Sequence, residues 1–347
     1  MKGKLSAALL VVLLLANALP RAASARDGLP EVGHDPPPGD QLIDVRVGFY
    51  LLNLVSLDEV HQTFTCTGYL SEKWQDPRLA FDPAPGGPTR RYLRREDIWF
   101  PLLQFDNAAE PRTEAAYLLS VAGDGAAEYV QKFAVELSTN LALRAFPFDS
   151  QDLRIYVHPF ANGDSRIRIS VDPTTTGVSR APYTPLPLWR TGPMSYRLDR
   201  GEIENGTLVP THAVFAIHVQ RVSEYYIYTI FLPLFLMVAI SWGALWIPPG
   251  DLNSQLVISV TTVLTLVAFS VGTTNVLPPV PYLTFCNMFF LICFVFVFIS
   301  VGEILIVHTW HNRRDAARAR QIRETTRRVL PPAFLLTTGV FAYLFLR

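Results

Sequence analysis

Side chains able to handle an ion without forming a bond to it are spaced along Asp251–Pro281, DLNSQLVISVTTVLTLVAFSVGTTNVLPPVP. No charged residue follows Asp251 in this stretch, and about 20 such residues are enough to cross a bilayer core. Hydroxyls interrupt it at Ser254, Ser259, Thr261, Thr262, Thr265, Ser270, Thr273 and Thr274. Wound at 3.6 residues per turn, Asn253 with Ser254, Val257, Thr261, Leu264, Ala268, Val271 and Asn275 share one face. That face is polar at both ends and apolar in its outer half. Several copies around an axis would enclose a path with a wet mouth, a threonine ring and an apolar constriction that gates by dewetting. The competing reading is a helix whose hydroxyls bond neighbouring helices.

Other chemistry is missing from the chain. There is no Gly-rich phosphate loop, nucleophile elbow or paired metal-ligand motif, so neither an enzyme nor a metal or cofactor protein is expected. Half of the 347 residues are hydrophobic, yet the formal net charge is zero, which gives no reason to expect nucleic acid. Those averages hide two halves. Up to about residue 222 the chain is rich in Pro, Asp and Arg, and beyond it is mostly apolar, which predicts one exported domain (26–222) and one membrane domain (223–347). Cys66 stands alone in the first, while Cys286 and Cys293 lie in an apolar run. Cys66 is expected to be buried in a strand rather than disulfide-bonded.

The elements that must position the stripe follow in order. Lys2 and Lys4, the apolar run Ala7–Ala16 and Ala23-Ser24-Ala25 read as a signal peptide over 1–25. Alternating runs at Asp44–Leu54, His61–Leu70, Tyr117–Val121, Tyr129–Leu137, Asp152–Val157, Arg166–Val171 and Leu208–Val219 predict a β-sandwich of immunoglobulin-like type. The run Pro36–Pro38 argues against a helix near residues 28–40. Four spans are expected at about 225–247, 252–274, 282–307 and 329–346, with Pro233 tolerated inside the first. The fold class is thus an α+β membrane protein, a β-sandwich followed by a four-helix bundle. A linker over 308–328 holds seven arginines against one Asp and one Glu, which makes it cytoplasmic. The N-terminal domain and the C-terminus then both lie outside the cell (inner) membrane.

Several motifs in this order carry a family resemblance. They are Trp74-Gln75-Asp76-Pro77-Arg78-Leu79, Trp99-Phe100-Pro101 with Phe105-Asp106-Asn107, and Phe146-Pro147-Phe148-Asp149, followed by Arg221, Pro233 and Ser241-Trp242. Together they resemble the prokaryotic pentameric ligand-gated ion channels, relatives of the Cys-loop receptors that lack the cysteine pair. The resemblance covers nearly all of the mature chain and implies a ring-shaped homopentamer in membrane lipids, passing monovalent ions.

Under that resemblance the stripe becomes a stack of rings. Leu264, Ala268 and Val271 are the expected gate; Asp251, Asn253, Ser254, Val257 and Thr261 line the inner mouth, and Asn275 the outer. Cation-passing relatives usually carry Glu where Asn253 and Ser254 stand, and anion-passing relatives carry Pro-Ala-Arg. Thr261–Thr265 looks like the anion-type core, whereas Asp251 supplies carboxylates, and the balance favours cations. Coupling is expected from Asp149 with Arg221, Pro147 and Phe148, the outer turn with Pro278 and Pro279, and the Ser56–Glu59 turn with Asp58 and Glu59. The ligand site is expected at Phe160, His158 and Tyr196, with Trp74 from the complementary side and Asp106 as a countercharge for a small primary amine. Protons acting on His158 and exported carboxylates are the rival stimulus. Outside the channel class, the alternatives are a non-conducting anchored sensor and a carrier. Four spans without repeated halves disfavour the carrier.

Overall fold

The computed structural model describes residues 35–39, 42–83, 86–160, 166–179, 186–199, 203–204, 207–208, 211–273 and 280–346. The signal-peptide expectation, Asn275, Pro278 and Pro279 lie outside them.

Alternation builds the first half. In β1 (Ile43–Asp58) Val45, Val47, Phe49 and Leu51 are buried while Asp44 and Arg46 are exposed, the period of two that a half-buried strand requires. β2 (Thr63–Gln75), β3 (Arg90–Leu93), β4 (Leu103–Phe105), β5 (Thr113–Ala122), β6 (Ala126–Ser138) and β7 (Ser150–Pro159) follow. Next come β8 (Ile167–Val171), β9 (Gly177–Val178), β10 (Trp189–Asp199), the β11 (Ile203–Glu204) and β12 (Thr207–Leu208) ladder, and β13 (His212–Arg221). One sheet runs β3-β5-β6-β2-β1-β8, with β9 also on β1; the other runs β10-β13-β7-β4. Phe49 and Phe133 of the first sheet meet Phe105 and Phe215 of the second, with Phe49 5.4 Å from Phe215 and 6.5 Å from Phe105. This aromatic layer is the sandwich core. Cys66 is fully buried in β2, and burial pushes its thiol up to about 12.

Strands β3, β4, β9, β10 and β11 escaped the reading by alternation, β9 and β11 being only two residues each. β3 and β4 span four and three residues, too short for alternation to register. β10 lies at a sheet edge, mostly exposed, with a register break between Thr191 and Met194 around Pro193. Edge strands tolerate proline and need no apolar face.

Four helices are long and apolar enough to cross a membrane: α1 (Glu224–Trp246), α2 (Leu252–Thr273), α3 (Phe285–Asn312) and α4 (Ala316–Leu346). In α1 the segment Ile227–Phe231 is a π-helix, just ahead of Pro233. The missing N–H and ring of a proline are accommodated by such a local widening. The stretch 308–328 between the last two spans is mostly helical, because α3 continues to Asn312 and α4 starts at Ala316, which leaves Arg313–Asp315 as the turn. Its polar residues hid helices that extend past the apolar core.

Candidate functional site

Within one subunit the stripe on α2 faces away from the bundle. Asn253, Val257, Thr261, Leu264, Ala268 and Val271 are exposed, Leu264 to 68%, and Ser254 is partly exposed. Gln255, Ser259, Thr262, Leu266 and Thr273 on the opposite side are buried. A bare valine and leucine row on a folded subunit needs something to face. Four of the hydroxyls bond their own helix: Thr262 donates to Ile258 O and Thr265 to Thr261 O at 2.8 Å, and Ser270 and Thr273 likewise bond backward. For these, hydrogen bonding to neighbouring helices is not the explanation.

The inner end of α2 is more constrained than the sequence suggested. Asp251 Oδ1 accepts from Ser254 N at 3.1 Å, so the residue caps the helix. Ser254 hydrogen bonds hold its exposed carboxyl below the ordinary range. Behind it, Gln255 is fully buried and donates to Pro248 O at 2.6 Å and Ile247 O at 3.3 Å, while its own oxygen accepts from Arg323 at 3.2 Å. Arg323 also donates to Ile247 O and lies 3.5 Å from Glu303. Arg327 bonds Leu245 O at 2.6 and 2.9 Å and covers Trp246 at 4.7 Å. Two of the arginines read as a loose cationic linker therefore cap the carbonyl end of α1, where the helix dipole favours positive charge. Sequence reasoning missed Gln255, Arg323 and Arg327; Glu303, a carboxylate near the end of a span, was the available signal.

Sandwich and helices meet at Arg221, which is 4% exposed. Its guanidinium donates to both oxygens of Asp149 (2.7 and 3.2 Å), to Glu59 Oε1 (2.5 Å) and to the Tyr226 hydroxyl (3.2 Å). The rings of Trp189 and Phe146 flank it at 4.2 and 4.5 Å. Burial works against its charge, but the bonds to Asp149 and Glu59 outweigh it and raise the pKa. Pro147 follows a cis bond, and Phe148 reaches Phe231 of α1 at 5.9 Å and Phe285 of α3 at 5.2 Å. The same loop is pinned by Phe285 N donating to Arg144 O at 2.7 Å and the Tyr282 hydroxyl accepting from Leu143 N at 3.1 Å. Asp58 shapes its own turn by accepting from Val60 N and His61 N at 2.9 Å. Its second oxygen lies 2.9 Å from His61 Nδ1, and this bond raises the pKa of that exposed imidazole.

The ligand expectations divide. Phe160 and Tyr196 are each 47% exposed, and Phe160 borders an open cavity of about 320 Å³ with Leu102, Phe105, Pro111 and Arg112. Trp74 is largely buried, though it also lines a cavity of about 570 Å³ with Lys73, Arg90 and Glu128. It is 3% exposed and packs edge-on to Trp99 at 6.3 Å, because its inward position on β2 makes it part of the core. Asp106 lies against two histidines. Its oxygens lie 3.7 Å from His158 Nδ1 and 3.3 Å from His212 Nε2. Asp106, His158 and His212 offer ligand atoms that all lie within 4.8 Å of one another. They come from three strands and no short sequence spacing, so only pairing brings them together.

Comparison with known proteins covers both halves. Residues 33–222 match the family model described as neurotransmitter-gated ion-channel ligand binding domain, and residues 230–338 the one described as neurotransmitter-gated ion-channel transmembrane region. The chain is 30% identical over 326 residues to a proton-gated ion channel of Gloeobacter violaceus, covering 90% of this chain and 86% of that protein. It is 26% identical over 306 residues to a gamma-aminobutyric acid receptor subunit beta-like of Drosophila melanogaster, covering 82% of this chain and 60% of that one. A gamma-aminobutyric acid receptor subunit alpha-2 of Bos taurus matches at 26% over 287 residues, 79% of this chain and 62% of that one. The chain thus spans about three-fifths of these receptor subunits.

Proposed function

The chain belongs to the neurotransmitter-gated ion-channel family, and from that premise we propose that five identical copies form a channel in a cell (inner) membrane. A stimulus received by the exported sandwich opens a central path lined by α2. The observation that carries this reading is the exposed row on α2, with apolar Leu264, Ala268 and Val271 above Thr261 and Val257. Five such rows facing one axis give the exposed leucines and valines partners and leave a path too apolar for an ion at rest. Arg221, Asp149 and Glu59, with Pro147 and Phe148 seated on α1 and α3, transmit the stimulus. Pro278 and Pro279 are assigned to this junction, and Asn275 to the outer mouth, on the family resemblance alone. The C-terminus is outside with the sandwich.

Monovalent cations are the proposed permeant ions. Asp251 places an exposed, ionised carboxylate at the inner end of each α2. Arg323 and Arg327, which would draw anions if free, are turned inward onto carbonyls. A small cation such as a primary amine at Phe160 and Tyr196 is one proposed stimulus. Protons are the second reading, favoured by His61, whose bond to Asp58 strengthens on protonation in the turn that carries Glu59. His158 suits proton sensing less well, since burial lowers its pKa.

Leu264→Thr tests the gate. Recorded in oocytes across amines and pH values, the variant should respond to at least about tenfold less stimulus, because a hydroxyl ring wets the constriction. Channels whose stimulus dependence is unchanged by Leu264→Thr would place the gate elsewhere. A chain that assembles but never conducts would be an anchored sensor.

A further inference from the structure

We propose that Asp106, His158 and His212 form a binding site for a divalent transition metal of the zinc class, one per subunit. The site is built by pairing in the smaller sheet. Asp106 follows β4, where Gln104 pairs with His158 of β7, and the ladder Val157↔Ala213 brings His158 beside His212 at the start of β13. Asp106 N is bonded to Tyr156 O at 2.9 Å, which fixes its backbone against β7. The two imidazole rings stand 5.1 Å apart at 63°.

Donor geometry fits such an ion. Bonds of about 2.0–2.2 Å from zinc to nitrogen or oxygen separate tetrahedral donors by roughly 3.3–3.5 Å. Asp106 Oδ2 to His212 Nε2 is 3.3 Å and Asp106 Oδ1 to His158 Nδ1 is 3.7 Å. Both nitrogens are buried, and neither has a hydrogen-bond partner among the described residues. The carboxylate is near each without a hydrogen bond to either, and at 3.7 Å it is beyond hydrogen-bond distance of His158 Nδ1. The His158 side chain is 8% exposed, so its Nδ1 is a buried polar atom left without a hydrogen bond among the described residues. Its other nitrogen, Nε2, lies 2.9 Å from Gln104 Nε2. Turning that amide by half a turn when a metal binds sets its oxygen against an Nε2–H and leaves Nδ1 bearing the lone pair, the usual way a ligand histidine is held. Two imidazoles with one carboxylate suit zinc, nickel or copper and not calcium or magnesium, which prefer oxygen alone. Asp106 is 52% exposed, so the ion has an entry path and a fourth position open to water. Occupancy would tie β4, β7 and β13 together beside Phe160.

The test uses the full-length protein purified in detergent, titrated with zinc chloride by calorimetry and with cobalt chloride by visible absorption. One ion per subunit is expected, with the d–d bands of a tetrahedral nitrogen and oxygen site, and a melting temperature that rises with zinc. His212→Gln and His158→Gln should each weaken binding at least 100-fold and abolish the zinc-dependent rise. Asp106→Asn should weaken binding about tenfold, and His218→Gln, an exposed histidine paired with Asp152, should leave it unchanged. If a histidine variant fails to assemble, Asp106→Asn decides, since its side chain is half-exposed. Binding that survives His212→Gln and Asp106→Asn, or that is lost with His218→Gln, overturns the site. Ion currents are not read, so the result stands apart from whether the chain conducts.

Discussion

Arg221 and Glu72 show opposite solutions to a buried charge. The guanidinium at the junction has two carboxylates and a hydroxyl around it and stays ionised; removing one partner of such a set costs about 3–5 kcal/mol because the other is stranded. Glu72 on β2 is 1% exposed and its Oε2 has no partner among the described residues. Burial pushes its carboxyl up to about 8, with Arg112 opposing. Below about pH 4.5 the group is neutral in both folded and unfolded chains and costs nothing as an ion. As pH rises from there to about 8, the unfolded chain ionises while the folded one resists, so stability falls by about 1.4 kcal/mol per pH unit at most. Glu72→Gln should therefore raise the melting temperature at pH 8 far more than at pH 5. Equal shifts at the two pH values would mean that Glu72 is ionised in the folded protein.

On the scale of an element, α2 has two jobs at its inner end that one residue serves. Asp251 caps the helix and also presents a charge to the inner mouth. Substitution separates the two roles. Asp251→Asn keeps a good cap but removes the charge, whereas Asp251→Ala loses both and should cost about 1 kcal/mol of helix stability. Reversal potentials in diluted sodium chloride should shift toward chloride in both variants, with lower thermal stability only in Asp251→Ala. A reversal potential unmoved by Asp251→Asn leaves the residue as a cap alone. The neighbouring capping of α1 by Arg323 and Arg327 takes two of the seven arginines out of the cationic run, while Arg313, Arg314, Arg318, Arg320 and Arg328 stay exposed.

For the whole molecule, the exposed row on α2 demands company. A lone subunit would leave Val257, Val260, Leu264 and Val271 at 58–68% exposure along one helix face. Five-fold assembly satisfies this with one repeated heterologous contact that closes on itself. Light scattering in detergent should give a protein mass near five times the 38.9 kDa chain, less any cleaved leader. A stable monomer would remove the proposed path.

How much of this was legible in the sequence depended on how local each feature is. Strand alternation and apolar length are properties of neighbouring residues, so the sandwich and the spans could be read directly, as could the exposed stripe on α2 from its spacing by threes and fours. The pairing of Asp149 with Arg221 came from family motifs, 72 positions apart. The burial of Trp74 could not be read from its motif, which tells that a tryptophan is present and not whether it faces inward. The polar ends of α3 and α4 read as a linker because their helical hydrogen bonds leave no mark on hydropathy. Periodicity and composition therefore determined the two-part architecture by themselves, since each element's buried face is written along its own residues. Only the tertiary structure decided that Gln255 and two arginines cap α1, and that Asp106, His158 and His212 converge, because strand and helix pairing join residues whose separation in the chain carries no signal.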